Sequence, residues 1–309
     1  MVVQTLAAKD FKTDVHNTWC IGCGDYGILN AIQSGLAEVG VPPHKVAIVS
    51  GIGCSGKAPH YLNAYGLHTL HGRPVPVATG VKLANPELTV LAVGGDGDGY
   101  GIGAGYFVNA GRRNVDFTYL VFDNEVYGLT KGQAAPTMIK GLKAKGMAEP
   151  AIQDNINPLA LAISSGYTFV ARGYALQPKS LAQLIAQAIR HRGTSFVDIL
   201  QTCPVYNDIH TKEWYGETID GQSRLYQLDD TDYDPEVHDV TDMDEVIEKK
   251  VQAISRSYES GKRIPLGVFY KSDVPTFEDQ LAAGRPSGYD AHNPNVWNRD
   301  LSGLINALR

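Results

Sequence analysis

Short apolar runs alternate with amphipathic stretches over residues 25–203, and glycine or proline stands at most of the changes between them. Apolar positions three or four apart, as at Ile28, Ile32 and Leu36, predict a helix from residue 25 that ends at Gly40. Compact apolar runs at residues 45–50 and 117–122 predict buried strands. This alternation indicates an α/β fold, a mostly parallel sheet flanked by helices.

The same patterns predict the remaining elements of the chain. Strands are expected at residues 88–93, 167–171, 195–201 and 265–270, and helices at 102–110, 158–165, 179–192 and 243–258. Beyond Tyr206 the periodicity weakens, and the chain closes with a segment rich in Pro, Gly and Asn. We therefore expect a binding domain at residues 1–210 and a C-terminal extension at 211–309 that packs on the core or on a partner subunit.

Composition narrows the class of protein. The chain has 309 residues, of which 43% are hydrophobic, so it is long enough to bury a sizeable core. No apolar stretch is long enough to span a bilayer, and a net charge of −6 without a basic stripe argues against a nucleic-acid surface. No secretory signal pattern opens the sequence, so we expect a cytoplasmic protein whose thiols stay reduced.

Four cysteines form the first chemical signal. Cys20 and Cys23 lie in the run WCIGCG at residues 19–24, where two intervening residues let both sulfurs face one centre, and Cys54 and Cys203 complete the set. Four thiolates beside glycines or turns suit one iron-sulfur cluster. Zinc is the competing metal, although zinc sites often use two close pairs of cysteines. Buried thiols that bind no metal are the third possibility.

The second signal is the run GGDGDG at residues 94–99, placed where a predicted strand ends. Asn124 follows the next predicted strand, and the carboxyl ends of adjacent parallel strands line one crevice. The carboxylate of Asp96, the amide oxygen of Asn124 and the main-chain carbonyl of Val126 would suit Mg²⁺ that bridges to a diphosphate. The glycines allow main-chain N–H groups to approach the phosphates.

Two other interpretations of this run remain open. The spacing GxGxxA at residues 99–104, with Asp123 about 20 residues on, resembles a dinucleotide fingerprint. However, Asp96 and Asp98 would repel a pyrophosphate unless a divalent cation lay between them, and the dinucleotide mode needs no cation. A glycine-rich hairpin without a ligand is the other possibility.

Taken together, these motifs resemble the thiamine-diphosphate-binding beta subunit of 2-oxoacid:ferredoxin oxidoreductases, the group that oxidises pyruvate and 2-oxoglutarate. The resemblance covers about residues 15–210. It rests on the runs WCIGCG (19–24), GIGCS (51–55), HTLHGR (68–73), ATG (78–80), GGDG (94–97) and DNEVYG (123–128). One departure is Asp123, which stands where the thiamine motif usually has the first of two asparagines.

The resemblance implies a thiamine-diphosphate-binding fold, its pyrophosphate-binding half, and three cofactors: thiamine diphosphate, Mg²⁺ and one 4Fe-4S cluster. Cys20, Cys23, Cys54 and Cys203 would hold the cluster, and Asp96, Asn124 and Val126 would hold magnesium. The expected cofactor-binding residues are Cys54, Ser55, His68, Gly95, Asp96, Gly97, Asp98, Asn124, Val126, Gly128 and Leu129. Lys57, His68 and Lys131 are the expected catalytic residues, with Lys57 offering a cation to the substrate carboxylate.

The implied activity is coenzyme-A-dependent oxidative decarboxylation of a 2-oxoacid to acyl-CoA and CO₂, with electrons passed through the cluster to ferredoxin. The chain shows no second thiamine-type domain, so an alpha subunit is the expected partner, in a heterodimer or two copies of it. Two alternatives remain: a non-redox thiamine-diphosphate decarboxylase or ligase, which leaves four cysteines unexplained, and a zinc-bearing nucleotide-binding subunit.

Overall fold

The computed structural model of the chain describes residues 6–283, 302 and 306. The α-helices in this part are, in chain order, α1 (Asp25–Val39), α2 (Pro74–Ala84), α3 (Ala104–Arg113), α4 (Pro158–Ser165), α5 (Pro178–Arg190), α6 (Lys212–Tyr215), α7 (Met243–Ser257) and α8 (Phe277–Ala283). The strands are β1 (Val46–Ser50), β2 (Tyr65–His68), β3 (Thr89–Gly95), β4 (Phe117–Asp123), β5 (Val126–Tyr127), β6 (Gln133–Ala134), β7 (Phe169–Tyr174), β8 (Thr194–Leu200), β9 (Thr218–Ile219), β10 (Gln222–Ser223), β11 (Leu225–Gln227) and β12 (Ile264–Lys271).

Eight strands form the main sheet, in the order β11-β12-β7-β8-β4-β3-β1-β2. The six strands from β7 to β2 run parallel, whereas β12 pairs antiparallel with β7 and parallel with β11. The predicted α/β class with a mostly parallel sheet is therefore confirmed. Because β12 lies in this sheet, the segment after residue 210 shares it with the first part of the chain, and the boundary at residue 210 stays a prediction.

Helices cover both faces of the sheet. Helices α1 and α5 pack on one face, and α2, α3, α4 and α7 pack on the other. Side chains alternate between the two cores as the pleat requires: Leu120 and Phe122 of β4 join the first, and Tyr119 and Val121 join the second. Burial on both faces explains why the central strands are continuous apolar runs.

The local reasons for these elements are visible at α1. Ile28, Ile32 and Leu36 repeat every four residues and bury one face of the helix. Gly40 ends it in the left-handed region, at φ 80°. Gly24 occupies the N-cap position, and Asp25 is the first residue of the helix.

Several elements were missed by the sequence pattern, among them helix α2 and edge strand β2, and helix α3 begins later than predicted. Helix α2 opens with Pro-Val-Pro, and β2 is an exposed edge strand without an apolar run. Helix α3 starts at Ala104, because residues Gly97–Ile102 form a wide π-type turn instead. Residues 284–301 of the predicted C-terminal tail lie outside the described residues.

The carboxyl ends of the parallel strands bring the predicted motifs together. Ser50, Gly95, Asp123 and Leu200 end four adjacent strands, β1, β3, β4 and β8. The loops that follow carry Cys54, the glycine-rich turn, Asn124 and Cys203. This edge of the sheet positions the candidate site, as expected for open α/β sheets.

Candidate functional site

A cavity of about 110 Å³ lies at this edge of the sheet. Ten of the expected cofactor-binding residues line it: Cys54, Ser55, Gly95, Asp96, Gly97, Asp98, Asn124, Val126, Gly128 and Leu129. Residues outside that prediction complete the wall: Ile52, Gly53, His71, Phe122, Tyr127, Thr130 and Gln201. Segments at the carboxyl ends of β1, β2, β3, β4 and β8 thus converge on one small space.

Asp96 and Asp123 form a buried pair of carboxyl groups beside the cavity. The hydroxyl oxygen of Thr137 lies 2.7 Å from Oδ2 of Asp96 and 2.7 Å from Oδ1 of Asp123. Burial raises the pKa of Asp96 to about 7, although hydrogen bonds from Thr137 and Asp123 oppose the shift. Burial also raises the pKa of Asp123 well above its ordinary value, and the charges of Asp198 and Asp96 add to this.

Among the residues that the structure describes, no Lys, Arg or His forms an ion pair with Asp96 or Asp123. Buried charges need a partner, and a divalent cation supplies one. Asp96 offers a carboxylate and Asn124 an amide oxygen, which are ligands that Mg²⁺ prefers. The donor set therefore fits magnesium, with Asp96, Asn124 and the carbonyl of Val126 as its candidates.

The turn after β4 presents Asn124 in a defined orientation. Its side-chain oxygen accepts a hydrogen bond of 3.1 Å from the main-chain N–H of Val126. Between them, Glu125 takes a left-handed conformation at φ 65°, which is uncommon for a residue other than glycine. Such strain is retained only where surrounding contacts hold it.

No group of three or more His, Cys, Asp or Glu side chains in the described part of the chain is arranged to hold a metal ion. The magnesium set predicted here contains a single carboxylate, since its other oxygens come from an amide and the main chain. A cubane cluster also differs from a site for one ion, because its four thiolates bind four separate irons.

Asp98 connects its own loop to two others through hydrogen bonds. Its Oδ1 accepts hydrogen bonds from the main-chain N–H groups of Ile52 at 2.9 Å and Gly72 at 2.8 Å, and lies 2.7 Å from Nδ1 of His71. Burial raises the pKa of Asp98, while these bonds and His71 oppose the shift. Although Asp98 lines the cavity, its Oδ1 is thus engaged with the protein.

Two glycines allow neighbouring side chains to pack closely at the wall of the small cavity. A Cβ atom on Gly97 would lie 2.1 Å from Cε1 of Tyr127, and one on Gly95 would lie 3.3 Å from the hydroxyl oxygen of Ser55. That hydroxyl is buried and makes no hydrogen bond to the residues that the structure describes. A buried donor without a partner beside a glycine cradle suits a bound phosphate.

Tyr127 contributes to the walls of two cavities. Besides the small cavity, its ring lines an open cavity of about 780 Å³, whose wall also contains Met138, Glu149 and Asp154. The phenol oxygen of Tyr127 lies 3.4 Å from the carbonyl oxygen of Gly97. Tyr127 therefore lies between the small cavity and the larger one.

Hydrogen bonds join the loops that carry the four cysteines. The indole N–H of Trp19 donates to the carbonyl of Cys54 at 2.7 Å, and the main-chain N–H of Gly24 donates to the carbonyl of Thr202 at 3.2 Å. The loop of Cys20 and Cys23 is thereby held against the loops of Cys54 and Cys203. All four cysteines are free thiols; Cys20 is exposed and Cys203 is buried.

Burial and neighbouring charges shift the pKa values of three of the cysteine thiols. Burial is the main cause that raises the pKa of the Cys23 thiol, and the thiols of Cys54 and Cys203 contribute. Burial raises the pKa of Cys54 to about 11, with contributions from Cys203 and Cys20. Four thiols on loops that hydrogen bonds hold together have the composition of an iron-sulfur cluster site, where the metal would bind them as thiolates.

Main-chain N–H groups surround the last of these sulfurs. Burial raises the pKa of Cys203, but hydrogen bonds from the N–H groups of Tyr206, Val205 and Asn207 oppose it. Donors aimed at a cysteine sulfur stabilise the thiolate and tune the potential of a bound cluster.

Asp25 and Gln201 are polar residues of the site that the sequence prediction did not include. Asp25 is fully buried behind Cys23, and burial raises its pKa to about 7 while Cys23, Gln201 and the charge of Lys57 oppose the shift. Gln201 lines the small cavity. An acidic residue directly after the CxxCG run is the one sequence signal that could have identified Asp25.

None of the three expected catalytic residues is on the wall of this cavity. Nζ of Lys57 donates to the hydroxyl of Thr18 at 3.2 Å. His68 is exposed at the end of β2, with its Nδ1 3.3 Å from Nε2 of His60, and His71 lines the cavity instead. Lys131 is exposed and has φ 87°. Their catalytic roles stay predictions.

Two family models match the chain. Residues 51–199 match the model for the C-terminal binding domain of thiamine pyrophosphate enzymes, and residues 203–285 match that for the C-terminal part of the pyruvate ferredoxin oxidoreductase beta subunit. Among the described helices, none has the length and apolar character needed to cross a membrane.

Individual relatives agree with both models. The beta subunit of a Sulfolobus 2-oxoacid:ferredoxin oxidoreductase is 54% identical over 89% of this chain and 88% of its own length. The 2-oxoglutarate oxidoreductase subunit KorB of Mycobacterium tuberculosis is 36% identical over 96% of this chain and 90% of its own. A solved 2-oxoglutarate:ferredoxin oxidoreductase from Magnetococcus marinus, with 2-oxoglutarate, coenzyme A and succinyl-CoA bound, is similar with a TM-score of 0.83 and 36% identity, covering 99% of this chain and 97% of that one.

Proposed function

This chain belongs to the beta subunits of the 2-oxoacid:ferredoxin oxidoreductases, and from that membership we propose that it holds thiamine diphosphate, Mg²⁺ and one 4Fe-4S cluster. The protein is an oxidoreductase subunit with a thiamine-diphosphate-binding domain. Its reaction in the complete enzyme is the coenzyme-A-dependent oxidative decarboxylation of a 2-oxoacid to acyl-CoA and CO₂.

One observation carries the proposal: Cys54 lines the same cavity as Asp96 and Asn124. A cluster ligand and the magnesium ligands would then share one wall, so electrons would travel a short path from cofactor to cluster. A non-redox thiamine enzyme has no use for this arrangement.

The roles of the chain's own residues follow from their positions. Asp96, Asn124 and the carbonyl of Val126 would bind Mg²⁺, and Gly95, Gly97 and the hydroxyl of Ser55 would leave room and a donor for the diphosphate. When bound, thiamine diphosphate supplies carbanion stabilisation and the cluster supplies one-electron transfer. The protein binds, orients and excludes water around both.

The cluster would be held by Cys20, Cys23, Cys54 and Cys203. Its four thiols must stay reduced to bind iron, which agrees with a cytoplasmic location. Lys57 follows Cys54 by three residues and would offer its cation to the 2-oxoacid carboxylate. Lys131 and His68 remain candidates for contacts with substrate or coenzyme.

Several partners complete this proposal. An alpha subunit would supply the other half of the thiamine site, in a heterodimer or two copies of it, and ferredoxin would take the electrons. Coenzyme A and a 2-oxoacid are bound by the Magnetococcus marinus enzyme of the same family. Residues 211–309 are proposed as an extension that packs on the core or on the alpha subunit.

The test is to coexpress the chain with its alpha subunit under anaerobic conditions. We expect about four irons per chain, thiamine diphosphate binding that requires Mg²⁺, and coenzyme-A-dependent reduction of a one-electron acceptor by one or more 2-oxoacids. Cys203→Ser should lose iron, and Asp96→Ala should lose thiamine diphosphate. Full iron in the first variant, or unchanged thiamine diphosphate retention in the second, would refute the corresponding site.

A further inference from the structure

The segment after Cys203 folds back on itself through the side chain of Asn207. The main-chain N–H of Asn207 donates to the carbonyl of Cys203 at 3.0 Å. Its Oδ1 accepts hydrogen bonds of 3.1 Å from the N–H groups of Ile209 and His210. Because two main-chain donors face Oδ1, the amide orientation is determined and Nδ2 must point the other way.

That Nδ2 reaches the turn that carries the proposed magnesium ligand. It donates a buried hydrogen bond of 3.0 Å to the main-chain carbonyl of Asn124, 83 residues away in the chain. Asn207 is only 3% exposed, so water cannot replace the donor. Loss of the bond would leave a buried carbonyl unsatisfied.

A second contact holds the next residue of the same turn. Nδ1 of His210 lies 2.5 Å from Oε2 of Glu125, and both side chains are largely buried. The His210 ring packs against Trp214 with centroids 4.2 Å apart, which fixes its orientation. Glu125 is the residue whose left-handed backbone needs support from its surroundings.

We propose that Asn207 and His210 are positioning residues that clasp the turn of residues 124–126 and hold it in the geometry that binds Mg²⁺ and thiamine diphosphate. The inference rests on the proposed function, because it assigns these residues to the magnesium site. Asn207 follows Cys203 by four residues, so one short segment would support both the last cluster ligand and the metal-binding turn.

The experiment compares Asn207→Asp with Asn157→Asp in the complete two-subunit enzyme. The carboxylate introduced by Asn207→Asp would keep the acceptor for Ile209 and His210 but lose the donor to Asn124. Asn157 is a matched control, since its Oδ1 caps Ala160 and its Nδ2 donates to the carbonyl of Ser257 at 3.1 Å, in another part of the fold.

The readouts are the affinity for thiamine diphosphate in the presence of Mg²⁺ and the iron content. Partners of metal ligands typically contribute about 10- to 100-fold to affinity, so Asn207→Asp should weaken binding by a factor in that range. Iron content should stay at the wild-type value, because the main-chain contacts to Cys203 remain. Asn157→Asp should change neither quantity.

A second pair of variants keeps the inference testable if Asn207→Asp folds poorly. His210→Ala should weaken the same affinity, and His210→Gln, which retains a donor toward Glu125, should restore part of it. Affinities within twofold of wild type in both Asn207→Asp and His210→Ala would overturn the inference. A wild-type enzyme that binds thiamine diphosphate without Mg²⁺ would instead overturn the proposed magnesium site, so the two failures are distinguishable.

Discussion

The indole N–H of Trp19 donates a 2.7 Å hydrogen bond to the main-chain carbonyl of Cys54 and thereby joins two cysteine loops that lie 35 residues apart. The Trp19 ring also packs edge-on against Tyr26 and Tyr61, with centroids 5.6 Å and 4.9 Å away. These contacts fix where the first pair of cysteines stands relative to the third.

Replacing Trp19 with Phe tests this link. The variant keeps an aromatic ring but loses the donor, which should cost about 1 kcal/mol and speed the loss of iron to a chelator. Iron release can be followed by visible absorbance. Tyr167→Phe is the matched control, because it removes a buried aromatic donor to the carbonyl of Phe107, away from the cysteines. Equal release rates in the two variants would argue against the link.

Gly97→Ala should impair thiamine diphosphate binding. The added Cβ would lie 2.1 Å from Cε1 of Tyr127, so the ring or the turn must move. Overpacking of this kind typically costs about 1–3 kcal/mol, and calorimetry should show an affinity at least about fivefold weaker. Gly105→Ala is the control, because nothing lies within 4 Å of its added Cβ in helix α3, and it should bind normally. Normal binding by Gly97→Ala would contradict a cofactor held at this turn.

Binding of Mg²⁺ and thiamine diphosphate should weaken as the pH falls below 7. Burial raises the pKa of Asp96 to about 7, so in the cofactor-free protein the carboxyl group is protonated below that pH and must lose its proton to bind the cation. The raised pKa also means that Asp96 favours the folded state at low pH, and that this contribution is lost as pH rises through about 7.

Calorimetric titrations at pH 5, 6, 7 and 8 check the direction. The affinity should drop by up to about tenfold per pH unit between 7 and 5, and buffers of different ionisation enthalpy should reveal proton release near pH 6. An affinity that is flat over this range would show that Asp96 is already ionised before the metal binds.

Arg172→Met should destabilise the protein strongly. Nε of Arg172 lies 2.9 Å from Oδ2 of Asp198, and the hydroxyl of Tyr100 donates to the other carboxylate oxygen at 2.9 Å. All three residues are buried. Removal of the only cation in this trio leaves a buried charge, which typically costs about 3–5 kcal/mol.

Denaturant unfolding of the variant measures this loss. Arg172→Met combined with Asp198→Asn should recover much of the stability, because the amide oxygen still accepts from Tyr100 and no charge remains unpaired. A double variant as unstable as the single one would mean that packing of the arginine side chain, not its charge, is what stabilises the sheet.

Local pattern was sufficient for most of the fold. The strands at residues 117–122 and 195–201 were predicted within one residue at each end, and helix α4 was predicted with the bounds that it has. These segments have strong periodicity or continuous burial. Helix α2 and edge strand β2 were missed because neither has such a pattern: β2 pairs with β1, and α2 packs on β1 and β3.

The choice between His68 and His71 shows where local information stops. Both belong to one motif, and the prediction selected His68. In the structure His68 ends the edge strand opposite Ser50, and the turn at Gly72, with φ 72°, lets His71 reach Asp98. Only the pairing of the strand decides which ring faces the cavity.

By itself, the amino-acid sequence determined the α/β class, the cysteine set and the order of the cofactor motifs, because each depends on residue types at short spacing. The tertiary structure decided which polar groups support the site: Thr137 between two buried carboxyl groups, Asp25 behind Cys23, and Asn207 on the carbonyl of Asn124. Most of these contacts join residues that are far apart in the chain, and the one made by Asn207 ends on a main-chain atom, so a local sequence pattern does not reveal them. Burial then shifts their pKa values, and burial exists only once the sheet and its helices have packed.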